Sequence, residues 1–104
     1  MYVQVHTDDH LQCHADLRDA TIATVEATLN RFAGRITGIE VHLSDQNGAK
    51  GGENDLRCVM EAKLAGLPPL AVRHEAAELA ESVQGAADRL GRLLEHHLGR
   101  IEAG

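Results

Sequence analysis

A segment near the start of the chain, residues 6–14, holds side chains that could bind a metal. It contains His6, His10, Cys13 and His14, together with two aspartates. His10 and His14 would share one face of a helix, because residues four apart are neighbours on a helix. Imidazole and thiolate groups are ligands that zinc prefers. A metal-binding protein is therefore one hypothesis for this chain.

The same segment also spans a predicted strand end, a loop and a predicted helix start, so its ligands would not all point one way. Sites built from Cys and His usually combine two separated ligand pairs, and no second pair has a suitable spacing here. In the alternative interpretation, His14 or Asp16 accepts hydrogen bonds from the free amides at the helix N-terminus. We therefore predict no metal or other cofactor, and keep His6, His10, Cys13 and His14 only as alternative ligands.

Signals for catalysis are weaker still. The sequence contains no Gly-rich phosphate loop between a strand and a helix and no nucleophile elbow. Glu61 and Glu75 are expected on a solvated sheet face, where carboxylates are common. We predict a protein that is not an enzyme and has no small-molecule substrate.

Composition limits the remaining classes. A formal net charge of −6 argues against broad affinity for polyanions, although a local basic patch is compatible with it. With 104 residues, the chain is expected to form one domain, residues 1–104. No signal peptide, membrane-length apolar stretch or close cysteine pair is visible, so we expect a cytoplasmic protein with reduced Cys13 and Cys58 and no membrane partner.

Cations are nevertheless concentrated in one part of the sequence. Arg89, Arg92, His96 and Arg100 follow one another at helical spacing, which predicts one narrow stripe beside an apolar helix face. The alternative is a solvated helix with local ion pairs such as Asp88 to Arg92. Five further basic residues are expected to extend the stripe into a groove: Arg31 and Arg35 at the end of the first helix, and Arg57, Lys63 and Arg73 on the open sheet face.

The elements that must position these residues follow from periodicity. Alternating apolar residues predict strands over residues 2–6, 39–44, 56–64 and 70–75, and helical spacing predicts helices over 16–33 and 77–101. Residues 45–54 are predicted to form a hairpin loop and residues 66–69 a turn. The order β-α-β-β-β-α predicts a two-layer α+β fold: a four-stranded mixed sheet with two helices packed on one face.

The candidate core is aliphatic, because the chain has one Tyr, one Phe and no Trp. Its expected strand members are Val3, Val5, Ile39, Val41, Leu43, Leu56, Cys58, Met60, Ala62, Leu64, Leu70 and Val72. Its expected helix members are Leu17, Thr21, Ile22, Val25, Leu29, Phe32, Leu79, Val83, Ala86, Leu90, Leu93, Leu94 and Ile101.

Several short strings occur in an order and spacing that resemble a known family. They are His10-Leu11, Leu17-Arg18-Asp19, Arg35-Ile36-Thr37, Ile39-Glu40-Val41, Leu43-Ser44, the alternating stretch from Leu56 to Leu64, and Ala87-Asp88-Arg89-Leu90. Together they resemble the bacterial ribosome hibernation proteins, hibernation-promoting factor and ribosome-associated inhibitor A, also called the sigma-54 modulation protein family. The resemblance extends from Val3 to about Ile101.

The resemblance implies binding to 16S rRNA of the small ribosomal subunit, in the channel used by messenger and transfer RNA, under stress. It implies basic contacts from both helices and the sheet rim: Arg89, Arg92 and Arg100 match the basic last helix, and Arg31 and Arg35 the basic end of the first. The histidines are not a shared metal set in this family. A short form ending at Gly104 is expected to lack the C-terminal dimerisation domain of long members, and fewer lysines than usual predict weaker, more salt-sensitive binding.

Three hypotheses follow. The first is a ribosome-associated hibernation factor that blocks the decoding region, and it predicts a basic groove. The second is a protein of the same fold that acts through a protein partner on its open sheet face or edge strand, and it predicts an acidic or apolar groove. The third is a metal-binding stress protein, which predicts that the imidazole and thiolate groups of residues 6–14 converge.

Overall fold

The computed structural model describes residues 1–8, 11, 14–46 and 55–103. In chain order, the elements are β1 (Tyr2–Thr7), α1 (Ala15–Leu29), a short 3₁₀ helix (Asn30–Phe32), β2 (Ile36–Asp45), β3 (Leu56–Leu64), β4 (Leu67–Ala76) and α2 (Leu79–Ala103). The predicted order of strands and helices is confirmed.

One four-stranded sheet has the spatial order β1-β2-β3-β4. The β1–β2 pair is parallel, as a strand-helix-strand crossover requires, whereas β2–β3 and β3–β4 are antiparallel. The predicted α+β fold with a mixed sheet is therefore confirmed. Among the described strands, β1 and β4 lie at the two edges, so each has one side without a described strand partner.

The boundaries of five elements differ from those predicted, and only those of β3 agree. β1 extends one residue further, to Thr7, and α2 begins two residues later, at Leu79. α1 ends at Leu29 and continues as the 3₁₀ helix, so the helix predicted to reach residue 33 is shorter. β2 begins at Ile36 and includes Asp45, so the predicted loop 45–54 starts one residue too early; its residues 47–54 lie outside the described chain. The start of β2 was predicted from alternation, and the irregular pairing near Ile36 and Gly38 interrupts that alternation.

The predicted turn over residues 66–69 is wrong in its extent. Leu64 already pairs with Leu67, so the turn consists of Ala65 and Gly66 alone, and Gly66 takes the positive φ of 75° that the turn needs. Pro68 and Pro69 then lie inside β4, where two residues oppose one residue of β3 between the Leu64 and Ala62 pairs. Proline has no backbone N–H, and an edge-strand bulge tolerates that loss.

The core is aliphatic, as predicted, and lies between one sheet face and the two helices. Its buried apolar members are Val25 and Leu29 of α1; Ile36, Ile39, Val41, Leu43, Cys58, Met60, Ala62 and Leu64 of the sheet; and Val83, Ala86, Ala87, Leu90, Leu94 and Leu98 of α2. The opposite sheet face carries the alternate residues, and none of the described helices covers it. Gly91 of α2 lies beside the end of α1, where a Cβ would make an ordinary contact of 3.6 Å with Leu29 Cδ2.

Within the described residues, no helix combines the length and apolar character needed to cross a membrane.

Candidate nucleic-acid interface

A shallow groove runs along β4 and the neighbouring surface of α2. It has a volume of about 500 Å³ and is lined by Arg73, Arg89, Arg92 and His96, with Ala71, Val72 and Leu93 between them. We call these seven residues the β4–α2 groove. The structure thus brings one sheet arginine next to the basic stripe that the helix period predicted.

Regular geometry explains why these cations converge. Arg89, Arg92 and His96 are three and four residues apart, so they lie on one side of α2 next to the buried Leu90 and Leu94. Arg73 alternates with the inward-facing Val72 on β4 and is exposed. Because β4 is the last strand of the sheet, no further strand separates Arg73 from α2 at this edge.

The guanidinium groups of the groove are not neutralised within the described chain. Among its residues, no carboxylate lies within ion-pairing distance of Arg73, Arg89 or Arg92. The local pair considered from sequence, Asp88 to Arg92, is absent there; Asp88 instead accepts a hydrogen bond from Gln84 Nε2 at 3.0 Å. The groove therefore keeps its positive charge in a chain of net negative charge.

Two other predicted site residues lie on the open sheet face but face acidic partners. Arg57 Nη2 donates to Glu75 Oε2 at 3.3 Å, directly across the β3–β4 pair. Lys63 Nζ lies 2.8 Å from Glu40 Oε2. This contact lowers the pKa of Glu40 and raises the pKa of Lys63, because the hydrogen bond and the opposite charge stabilise both ionised forms. Neither Arg57 nor Lys63 lines the β4–α2 groove.

The predicted residues at the end of the first helix are also outside this groove. Arg31 Nη2 donates to Glu95 Oε2 of α2 at 3.4 Å, and its guanidinium lies 4.7 Å from the Phe32 ring centre. Arg35 is half-buried, and its backbone N–H donates to Phe32 O at 2.9 Å. The side chain of Arg100 lies outside the described part of the structure.

Sequence reasoning missed the floor of the groove. Ala71, Val72 and Leu93 supply small and apolar surface between the cations. The alternation of β4 indicated the position of Arg73, and the helical spacing of α2 indicated the stripe of Arg89, Arg92 and His96. Each pattern gave one side of the groove without the other. Only their packing shows that Ala71 and Leu93 face the same groove.

Of the four alternative metal ligands in residues 6–14, the structure describes His6 and His14. His14 is the N-cap residue of α1, exposed and without a side-chain capping bond, so of the two predicted alternatives its side chain does not cap the helix. Asp16 lies in the first turn of α1. His10 and Cys13 fall outside the described residues. His6 lies instead on the open sheet face beside Glu40 and His42.

Comparisons with known proteins agree with this architecture. The family described as Sigma 54 modulation protein / S30EA ribosomal protein matches residues 6–102. The fold is similar to the N-terminal domain of Protein Y from Thermus thermophilus, with a TM-score of 0.73 and 23% identity over 93% of this chain and 99% of that one. It is also similar to a ribosomal subunit interface protein from Coxiella burnetii, with a TM-score of 0.67 and 19% identity over 95% and 99% of the two chains. No curated protein sequence matches significantly.

Proposed function

Because the chain belongs to the sigma-54 modulation protein / S30EA ribosomal protein family, we propose that it is a ribosome-associated hibernation factor. In this proposal it binds the small ribosomal subunit near the decoding region, contacts 16S rRNA, and blocks translation without catalysing a reaction. It acts in the cytoplasm of a bacterium under stress. The likeness in fold to a ribosomal subunit interface protein supports the choice of partner.

The observation that carries this proposal is the unpaired charge of the β4–α2 groove. Arg73, Arg89 and Arg92 form no ion pair within the described residues, so their guanidinium groups can bind phosphate oxygens without first breaking an ion pair. A guanidinium presents a planar set of N–H donors that fits phosphate geometry. An acidic protein with one such groove binds a polyanion locally rather than over its whole surface.

The groove would recognise RNA by its backbone and shape. Single-stranded RNA readers stack bases on aromatic side chains, and this chain has one Tyr, one Phe and no Trp. Tyr2 is 66% exposed but lies on β1, at the opposite edge of the sheet from β4. Contacts to phosphate and ribose along a folded rRNA surface therefore suit this protein better than base stacking.

The proposal gives the groove the main role and the other basic residues a smaller one. Arg31, Arg57 and Lys63 already have carboxylate partners, so contact with rRNA would replace one favourable interaction by another. Arg35 and Arg100 remain proposed contacts of the two helices. The protein-partner hypothesis required an acidic or apolar groove, and the basic character of this one favours RNA.

Sedimentation tests the proposal. The purified protein is mixed with ribosomes of its own host and separated on sucrose gradients at several salt concentrations. We expect it to sediment with the small subunit at low salt and to dissociate as salt rises. With three arginines that form no ion pair among the described residues, the logarithm of the binding constant should fall with the logarithm of salt with a slope of about −3.

Absence from ribosomal fractions at low salt would contradict the proposed function. Binding to the large subunit alone would contradict the proposed location. An in vitro translation reaction completes the test: the protein should reduce peptide synthesis at the concentrations at which it sediments with the small subunit.

A further inference from the structure

Three side chains with metal-binding groups converge on the open sheet face, away from the β4–α2 groove. They are His6 on β1 and Glu40 and His42 on β2. Their imidazole nitrogens and carboxylate oxygens all lie within 4.8 Å of one another. The function proposed above uses none of these three groups.

Backbone register explains this convergence. His6 and His42 are direct partners in the parallel β1–β2 pair, so their side chains stand next to each other on the same face. Glu40 precedes His42 by two residues and therefore points to that face as well. The two imidazole rings stack with their centres 4.8 Å apart and an angle of 18° between their planes. Both rings are thus presented by strands rather than by a loop.

The distances are close to those of a coordination sphere. Zinc binds histidine nitrogen and carboxylate oxygen at about 2.0–2.2 Å, so two ligands of one tetrahedral ion lie roughly 3.3–3.6 Å apart. His6 Nε2 is already 3.2 Å from Glu40 Oε1. Side-chain rotation has to bring only the His42 nitrogen closer. The two histidines and Glu40 remain partly exposed, so an ion from solvent can reach them.

Lys63 prepares Glu40 for this role. Its ammonium group holds the other carboxylate oxygen, Glu40 Oε2, at 2.8 Å and leaves Oε1 directed at His6. Partners of this kind outside the coordination sphere orient metal ligands.

We propose that His6, Glu40 and His42 form a binding site for one divalent ion of the late transition metals, with zinc as the expected occupant. Two neutral imidazoles and one carboxylate suit zinc, and water completes the coordination. Calcium and magnesium are excluded as occupants because they prefer oxygen ligands. The site is separated from Arg73 by β3, whose Val59 lies between His42 and Arg73 in the same row across the sheet.

The experiment is a zinc titration of the purified full chain near neutral pH, in competition with a chromophoric chelator. The variants are His6→Ala, His42→Ala and Glu40→Gln. His96→Ala with His97→Ala is the matched control, because these neighbouring exposed histidines also contact each other, at 5.4 Å between ring centres, without belonging to the cluster. Circular dichroism confirms that each variant is folded.

We expect one zinc ion per wild-type chain and an unchanged affinity in the control. Loss of a partner outside the coordination sphere lowers metal affinity by roughly 10- to 100-fold. Each histidine substitution removes a ligand itself, so it should weaken zinc binding by more than that. Cobalt, titrated as a spectroscopic substitute, should give visible absorption bands that disappear in His42→Ala.

Two outcomes would overturn the proposal. The first is an absence of zinc binding by the wild-type chain. The second is zinc binding that survives in His6→Ala and His42→Ala but is lost when His10, Cys13 and His14 are replaced together, which would place the ion at residues 10–14 instead. Ribosome sedimentation does not enter either comparison, so this test is independent of the proposed function.

Discussion

The imidazole ring of His74 on β4 occupies the space that a side chain at Gly85 of α2 would need. A Cβ atom at Gly85 would clash with three atoms of this ring. His74 pairs with Cys58 across the β3–β4 ladder and faces the helices. Its Nδ1 atom is buried and has no hydrogen-bond partner among the described residues. The glycine, which weakens the helix intrinsically, is therefore required by the packing of α2 on the sheet.

This contact predicts that the effect of a substitution at Gly85 on stability depends strongly on the residue at position 74. Alanine in place of a helix-interior glycine normally stabilises by about 1 kcal/mol, but overpacking a core costs about 1–3 kcal/mol. We expect Gly85→Ala to lose stability or gain none in the wild-type chain, and to gain about 1 kcal/mol in a His74→Ala background. Urea unfolding of the four proteins in this double-mutant cycle measures the coupling.

Gly99 provides the control for this cycle. Among the described residues, a Cβ there would meet nothing within 4 Å, so Gly99→Ala should be stabilising or neutral in both backgrounds. A gain from Gly85→Ala as large in the presence of His74 as in its absence would show that the ring moves aside without cost.

Removal of groove charge should weaken ribosome binding more than removal of paired charge. Arg89→Gln with Arg92→Gln removes two cations that have no acidic partner in the described structure, whereas Arg57→Gln with Lys63→Gln removes two that contact Glu75 and Glu40. Both double variants lose the same net charge. We expect the first to reduce the salt slope of ribosome binding by about 2 and the second by less than about 1. Equal losses in the sedimentation assay would contradict the assigned face.

Leu90 should contribute a large part of the stability that the packing of α2 in the core provides. Its side chain is fully buried among the sheet and α1 residues of the core. Leu90→Ala should lower the free energy of unfolding by about 2–5 kcal/mol, since it removes buried methyl groups and leaves a cavity. Leu79→Ala, at a half-buried position of the same helix, should cost less. A loss below about 0.5 kcal/mol at Leu90, as expected for a surface position, would contradict the observed orientation of α2.

The buried thiol of Cys58 should make stability depend on alkaline pH. Burial raises the pKa of this thiol from 9.0 to about 12, because the thiolate loses its hydration in the core. The unfolded chain then releases the proton at lower pH than the folded chain does. The thiol's contribution to stability is therefore complete below about pH 9 and is lost as pH rises toward 12, by about 1.4 kcal/mol per pH unit.

Chemical unfolding of the wild type and Cys58→Ala at several alkaline pH values measures this effect. The comparison at equal pH cancels the contribution of Lys63, whose raised pKa acts in the same direction. We expect a shallower decline in the variant. Parallel declines in the two proteins would mean that water reaches the Cys58 thiol in the folded state.

The sequence by itself determined the features that depend on local period. Alternation marked Cys58, Met60 and Ala62 as the inward face of one strand, and all three are buried. Helical spacing placed Leu90 and Leu94 in the core and Arg89, Arg92 and His96 beside them. These inferences succeeded because the direction of a side chain within one element follows from the geometry of that element alone.

Only the tertiary structure decided which of these faces meet. The parallel register of β1 and β2 brings His6 to His42 and Glu40, and the antiparallel ladder pairs Arg57 with Glu75. The position of α2 along β4 adds Arg73 to the groove and places Gly85 against His74. Register and helix position are set by the packing of the whole core, to which residues far apart in sequence contribute, and no local period contains that information.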